Sequence, residues 1–207
     1  MRKNLFVIVL IGMLLVCWAA RPAVAGEPTN QVKATVDKVI DILKNKELKK
    51  PSKTEERRAQ LRRAVAERFD FEEMSKRTLA IHWQKRTAEE RKEFVSLFSD
   101  LLDRSYVNKI ESYTDEKVNY TQENIEGEYA LVKTVIVTKK NIEVPIDYKL
   151  IRKSTQWKAY DVVIEGVSLV NNYRGQFNKV IRSQSYEELV TRLRNKQEKA
   201  LFEEKAK

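Results

Sequence analysis

Apolar residues recur at helical spacing through the first half of the chain. Val32, Val36, Val39, Ile40 and Leu43 fall on one helix face, and the basic stretch 44–53, which contains Pro51, ends it. A second helix spans 54–69 with Leu61, Ala64, Val65 and Arg68. Asp70, with Glu73 three residues on, reads as the start of a third helix carrying Met74, Leu79 and Trp83. Thr87 and Glu90 form a capping box that opens a long helix with the stripe Phe94, Leu97, Phe98, Leu101 and Leu102, extending to Tyr106, Val107 and Ile110.

After Tyr113 the period changes from 3.6 to 2. Residues 129–138 are apolar on both faces, Leu131, Val135 and Val137 opposing Ala130, Val132 and Ile136, which predicts a central strand covered on both sides. Ile142, Val144, Ile146, Tyr148 and Leu150 alternate with polar residues and with Pro145, which points to an edge or bulged strand. Residues 156–165 make a third strand with Tyr160, Val162 and Ile164 on one face, and the turn-like connections 139–141 and 153–155 predict an antiparallel meander that Gly166 ends. An amphipathic helix follows with Val167, Val170, Tyr173, Phe177, Val180 and Ile181. A last helix, capped at Ser185, carries Leu189, Leu193, Ala200 and Leu201 and frays after Arg194. Helices, then strands, then helices predict an α+β class with the sheet packed on helices by one face.

The first 25 residues stand apart. A basic start at Arg2 and Lys3, an apolar run from Leu5 to Ala20 and the small residues Ala23 and Ala25 read as a secretory signal peptide cut after Ala25, leaving 26–207 as a single domain. Cys17 leaves with the leader. The formal charge of the 207 residues is +10, from 40 Lys and Arg against 30 Asp and Glu. Removal of the leader brings it to about +7. For an exported chain that excess suits anionic membrane surfaces better than nucleic acid; spread over the surface, it would serve solubility alone.

Catalytic chemistry is sparse. One Cys and one His exclude a disulfide framework and multi-His metal centres, and no nucleophile elbow, phosphate loop or dinucleotide fingerprint occurs. His82 beside Trp83 has no acid or nucleophile nearby in sequence and reads as a packing residue. Asp161 and Glu165 share a strand face about 13 Å apart, too far for a shared proton, so Asp161 serves a backbone group or an arginine. No cofactor is called for. The apolar side chains of sheet and helices suit either a filled core or a ligand cavity, and periodicity does not separate the two.

The segment from Trp157 to Phe177, WKAYDVVIEGVSLVNNYRGQF, resembles the signature of the MlaC (toluene-tolerance) family of periplasmic phospholipid-binding proteins. Phe71 to Trp83, Thr87 to Tyr106 and Val144 to Tyr148 fit the same family, with Ala80, Ala159 and Gly175 standing where it more often has Gly, Val and a polar residue. The resemblance implies a curved antiparallel sheet wrapped by helices around an apolar lipid cavity. It further implies a monomeric, non-enzymatic periplasmic shuttle for two-chain phospholipids. Its partners would be an inner-membrane ABC transporter with an MCE-type subunit and an outer-membrane lipoprotein–porin complex, and its role the maintenance of outer-membrane lipid asymmetry.

Two acyl chains of about 30 carbons forfeit roughly 20 kcal/mol or more in water, at about 0.8 kcal/mol per methylene. A dry cavity matched to the bilayer would make loading near neutral and unselective among headgroups. Face assignment puts the tails against Val144, Ile146, Tyr148, Val162 and Ile164 of the sheet, and Phe94, Phe98, Leu101, Val167, Val170, Tyr173 and Phe177 of the helices, with Arg174 near the phosphate. The competing functions are a carrier of hopanoids or other lipids, an exported peptide-binding chaperone and a small enzyme built on His82.

Overall fold

Side-chain caps set where the helices begin. The computed structural model describes residues 26–113 and 115–196; the leader expected at 1–25, and Ala200 and Leu201, lie outside them. Helix α3 (Phe71–Leu79) starts where Asp70 accepts a hydrogen bond from the Glu73 amide, 2.8 Å. The reciprocal Thr87–Glu90 capping box opens α4 (Ala88–Glu111). Ser168 and Ser185 cap α5 (Leu169–Ser183) and α6 (Tyr186–Arg194) in the same way. Helix α1 (Glu27–Lys44) has no cap from its own N-cap residue. Instead Glu123, far along the chain, accepts from the Thr29 amide at 2.7 Å and the Thr29 hydroxyl at 2.5 Å. Helix α2 (Thr54–Ala66) begins on the acidic pair Glu55 and Glu56, which favours the positive helix start.

Trp83 falls in a 3-10 turn, Ala80–Lys85, rather than in α3. The break is at Ala80, where the backbone turns to φ 49, ψ −119, a conformation that a Cβ disfavours and glycine adopts freely. Ala80→Gly is expected to raise stability by about 1 kcal/mol, read as a shift in the thermal midpoint.

The sheet is antiparallel throughout, in the order β1 (Lys117–Glu126), β2 (Tyr129–Val137), β3 (Glu143–Lys153), β4 (Gln156–Ile164), β5 (Val167–Ser168). The expected meander is β2 to β4; β1 and the two-residue β5 extend it on either side. Glu165 and Gly166, both at positive φ, make the turn into β5, so the sheet continues past Gly166 and α5 begins at Leu169 rather than at Val167. Strand β1 escapes a period-2 reading because its register slips between Tyr120 and Gln122. The bulge brings Val118 and Tyr120 on one side of the slip, and Glu123 and Ile125 on the other, opposite the inward residues of β2.

Strand β3 is an interior strand, not an edge. Pro145 is tolerated because its carbonyl accepts from Glu165, just past the last β4 residue. Its missing N–H points the same way, beyond the end of the β3–β4 ladder. Strand β2 is covered on one side only: Ala130, Val132 and Thr134 are buried, whereas Leu131, Val135 and Val137 on the other face are half-exposed. Helix α1 lies on the first face, and among the described residues no helix layer seals the second. In β4 a second irregularity sets Leu150 opposite Ala159 and Lys149 opposite Asp161. Tyr160 is thereby taken off the face that Val162 and Ile164 share, and meets the Tyr129 ring edge-on and the Arg77 guanidinium at 4.0 Å. The outer edge of β4 is shared by β5 and the α2–α3 linker, whose Arg68 and Asp70 backbones bond Ala159.

The fold class is therefore α+β, one open five-stranded sheet against helices. Its core is divided. Helices α3 to α6 enclose an aromatic cluster of Met74, Phe94, Phe98, Tyr173, Phe177 and their neighbours. A smaller cluster joins α1 to the sheet through Val32, Val132, Leu150 and Trp157. A third joins α1 to α2 through Leu43, Leu48 and Leu61.

Candidate functional site

Between these clusters the molecule is hollow. The inner face of the sheet, α1, α2 and the C-terminal half of α4 surround a two-lobed cavity, the lobes measuring about 400 and 480 Å3. Each falls in the range of about 300–1,000 Å3 usual for small-molecule sites. The first lobe lies under Leu61, Val65 and Ala66 of α2 and Leu102 and Val107 of α4. The second lies under Val36, Val39 and Ile40 of α1 and reaches Val118 and Ile136 on the sheet. Val65, Phe69, Tyr106, Ile110, Ile146, Tyr148 and Ile164 line both, and form the waist between them.

The strand pattern makes this wall apolar. Val144, Ile146 and Tyr148 project from one face of β3, opposite Ile136, Thr134 and Val132 of β2, and Ile164 and Val162 stand beside Ile146 and Tyr148 on β4. Thr134, the polar member of the set, hides its hydroxyl by donating to the Ile146 carbonyl at 2.9 Å. The tyrosines of the wall stay neutral. Burial pushes the Tyr148 phenol up to about 12, and burial, reinforced by Tyr173, does the same at Tyr106. Burial lowers the affinity of the Arg68 guanidinium for its proton. That group is engaged by Gln31 at 2.7 Å, Thr35 at 3.2 Å and the Trp157 carbonyl, so it offers the cavity no idle cation.

Of the twelve apolar residues singled out from sequence, the structure brings Val144, Ile146, Tyr148, Val162 and Ile164 together on the cavity wall. The helical ones go elsewhere. Phe94, Phe98, Leu101, Val170, Tyr173 and Phe177 interdigitate in the aromatic cluster and are at most 2% exposed. Val167 is 56% exposed on β5, and its neighbour Leu169 reaches the first lobe instead. Arg174 donates from Nε to the Arg77 carbonyl at 2.8 Å, tying α5 to the end of α3 and away from the cavity. His82 meets Asn178, 3.0 Å from Nε2. Asp161 accepts from the Ser168 hydroxyl (2.7 Å) and the Val170 amide (3.1 Å) at the start of α5 and pairs with Lys149.

The lining from α1 and α2 was not singled out. Its one sequence signal is that Val36, Val39 and Ile40 extend the α1 stripe beyond Val32, the residue that fills the sheet-side core.

Helices α2 and α4 are strapped together across the first lobe. Arg57 and Arg58 both reach Glu111, at 2.7 and 2.8 Å, and Arg62 reaches Asp103 at 3.0 Å. Burial works against the Glu111 carboxylate, yet Arg58 and Arg57 outweigh it and hold the carboxyl below its usual range. Among the described residues no group of His, Cys, Asp and Glu is placed to hold a metal, and no helix is long and apolar enough to cross a membrane.

A family model described as MlaC protein matches residues 33–195. The intermembrane phospholipid transport system binding protein MlaC of Haemophilus influenzae is 23% identical over 129 residues, which span 60% of this chain and 60% of that protein. The structure of the phospholipid-binding protein from Ralstonia solanacearum, solved in complex with a phospholipid, superposes with a TM-score of 0.74 at 22% identity, covering 86% of this chain and 100% of that one. At that identity the likeness is one of fold.

Proposed function

The chain belongs to the MlaC family, and from that membership we propose that it is a periplasmic phospholipid carrier, exported by the leader at 1–25. It buries acyl tails in the two-lobed cavity and moves them between an outer-membrane lipoprotein–porin complex and an inner-membrane ABC transporter with an MCE-type subunit. This traffic serves outer-membrane lipid asymmetry. The observation that carries the reading is the cavity, whose wall is almost wholly apolar and splits into two lobes of similar size. Two lobes suit two tails, one in each, better than a single rigid polycycle such as a hopanoid. A peptide fits worse still, because its backbone N–H and C=O groups need partners that this wall lacks. The relatives support the same reading, one named for intermembrane phospholipid transport and one solved with a phospholipid bound.

No step of bond making is involved. The carrier replaces the bilayer interior with a comparably dry surface, so the gain of about 0.8 kcal/mol per buried methylene is retained from one membrane to the other. Direction is then set by the partners. Protein purified from its native periplasm is expected to release about one two-chain phospholipid per molecule in lipid mass spectrometry, and to take up labelled lipid from vesicles. Finding no stoichiometric lipid, together with no uptake, would sink the carrier reading.

A further inference from the structure

The first lobe reaches solvent at a rim where charge is sorted by sign. Arg62 and Arg63 stand on α2, Asp100 and Asp103 on α4, and all four contribute to the lining of the lobe. Arg62 and Asp103 bridge the two helices, with 46% and 25% of their side chains still exposed. Arg63 and Asp100 are exposed and pair with no other described residue. Charge on this lobe is confined to these four groups, whereas the second lobe offers Lys109, Glu116 and the already engaged Arg68. A guest with apolar tails and a charged head therefore finds its largest set of charge partners, two of each sign, at this rim.

We propose that this rim is a headgroup subsite for zwitterionic glycerophospholipids of the phosphoethanolamine type. The phosphate sits on Arg62 and Arg63, and the ammonium on Asp100 and Asp103. The proposal rests on the tail-carrying reading and adds to it a preference that the apolar wall cannot supply. Two cations facing two carboxylates make a neutral rim whose dipole matches a head carrying one charge of each sign. A phosphoglycerol head offers the arginines the same phosphate but gives the carboxylates only hydroxyls, and leaves their repulsion of the phosphate unanswered. In the empty protein the Arg62–Asp103 bridge keeps two of the four charges paired. A head entering the rim exchanges that contact for its own two. Exposed pairs of this kind each shift an equilibrium by up to about fivefold, so the preference is moderate.

The test offers the protein vesicles with equal parts phosphatidylethanolamine and phosphatidylglycerol of identical acyl chains, and reads the bound ratio by mass spectrometry. The expected result is a several-fold enrichment of phosphatidylethanolamine, falling to unity or below in D100N/D103N. R62Q/R63Q is expected to lower capture of both lipids. Thermal melts verify that the variants are folded, and D100N alone, which breaks no bridge, is expected to lose part of the enrichment. Bound lipid in the vesicle ratio, or an enrichment that survives D100N/D103N, overturns the headgroup subsite and leaves tail carriage standing. Failure to capture either lipid overturns tail carriage, and the subsite with it.

Discussion

Ile146→Asp is expected to weaken phospholipid binding by up to about a thousandfold at neutral pH, with recovery of about tenfold for each pH unit as the medium is acidified toward 4. Ile146 stands at the waist, on the wall of both lobes, between Thr134 and Ile164 in the sheet. A carboxyl placed there against acyl tails must lose its charge or keep water beside it. Neutralising an aspartate of ordinary pKa near 3.9 at pH 7 costs about 4 kcal/mol, at 1.36 kcal/mol per pH unit. The bound state is the one with the raised pKa, so the defect is largest above that value and shrinks as pH falls. The empty protein escapes most of this cost, because water can enter a cavity that is already open to solvent. Its melting temperature should therefore move much less than its affinity. Ile146→Leu, which keeps the wall apolar, is expected to bind as the unmodified chain does. Vesicle uptake measured from pH 7 to 4.5 checks all three statements, and a defect that does not depend on pH would show that shape rather than charge is responsible.

Phe98→Ala should do the opposite, costing about 3–5 kcal/mol of folding stability while leaving the cavity wall unaltered. The Phe98 ring is fully buried, with centroids 5.4 Å from Tyr173, 5.7 Å from Phe177 and 6.0 Å from Phe94. Truncation removes a ring that three others pack against, and the surrounding helices relax only partly into the void. For a domain of this size such a loss lowers the thermal midpoint by roughly 10 °C. Denaturant titration with an unchanged slope would identify it as a loss of packing within a two-state fold. Folded Phe98→Ala protein, assayed below its melting point, should still take up lipid.

The contrast between these two residues explains what could be read from the sequence. Both were singled out as lining because both lie on apolar faces. Periodicity reports which face of an element turns inward and is silent on whether protein or ligand fills the space there. On the sheet the reading reached the cavity, since Val144, Ile146 and Tyr148 of β3 and Val162 and Ile164 of β4 line the lobes that α1, α2 and α4 enclose. On α4 it did not, because Phe94, Phe98 and Leu101 meet Tyr173, Phe177 and Tyr186 of α5 and α6, elements whose docking is a tertiary fact. The helix starts were legible because a cap is a local hydrogen bond between residues three apart. Strand β1 was not, because its bulge at Thr121 interrupts the alternation, and because its inward Glu123 serves a partner in α1 that sequence proximity does not reveal. Pro145 misled for a related reason: the missing N–H excludes it from a ladder, but the β3–β4 ladder ends beside it.

Helix α4 lives under two selective regimes. Its first half is locked into the aromatic cluster, where each ring has neighbours that fix its size and rotamer. Its second half, from Leu102 to Ile110, forms one wall of the cavity, where the proposed function puts a fluid hydrocarbon chain with no shape to match. Random mutagenesis scored for folded, lipid-loaded protein should therefore leave an uneven record along a single helix. Positions 94, 98 and 101 should admit few residues, and positions 106, 107 and 110 almost any apolar one. A carrier whose cargo varies in length and unsaturation gains from such a wall, since drift there adjusts the fit to the lipid without putting the fold at risk.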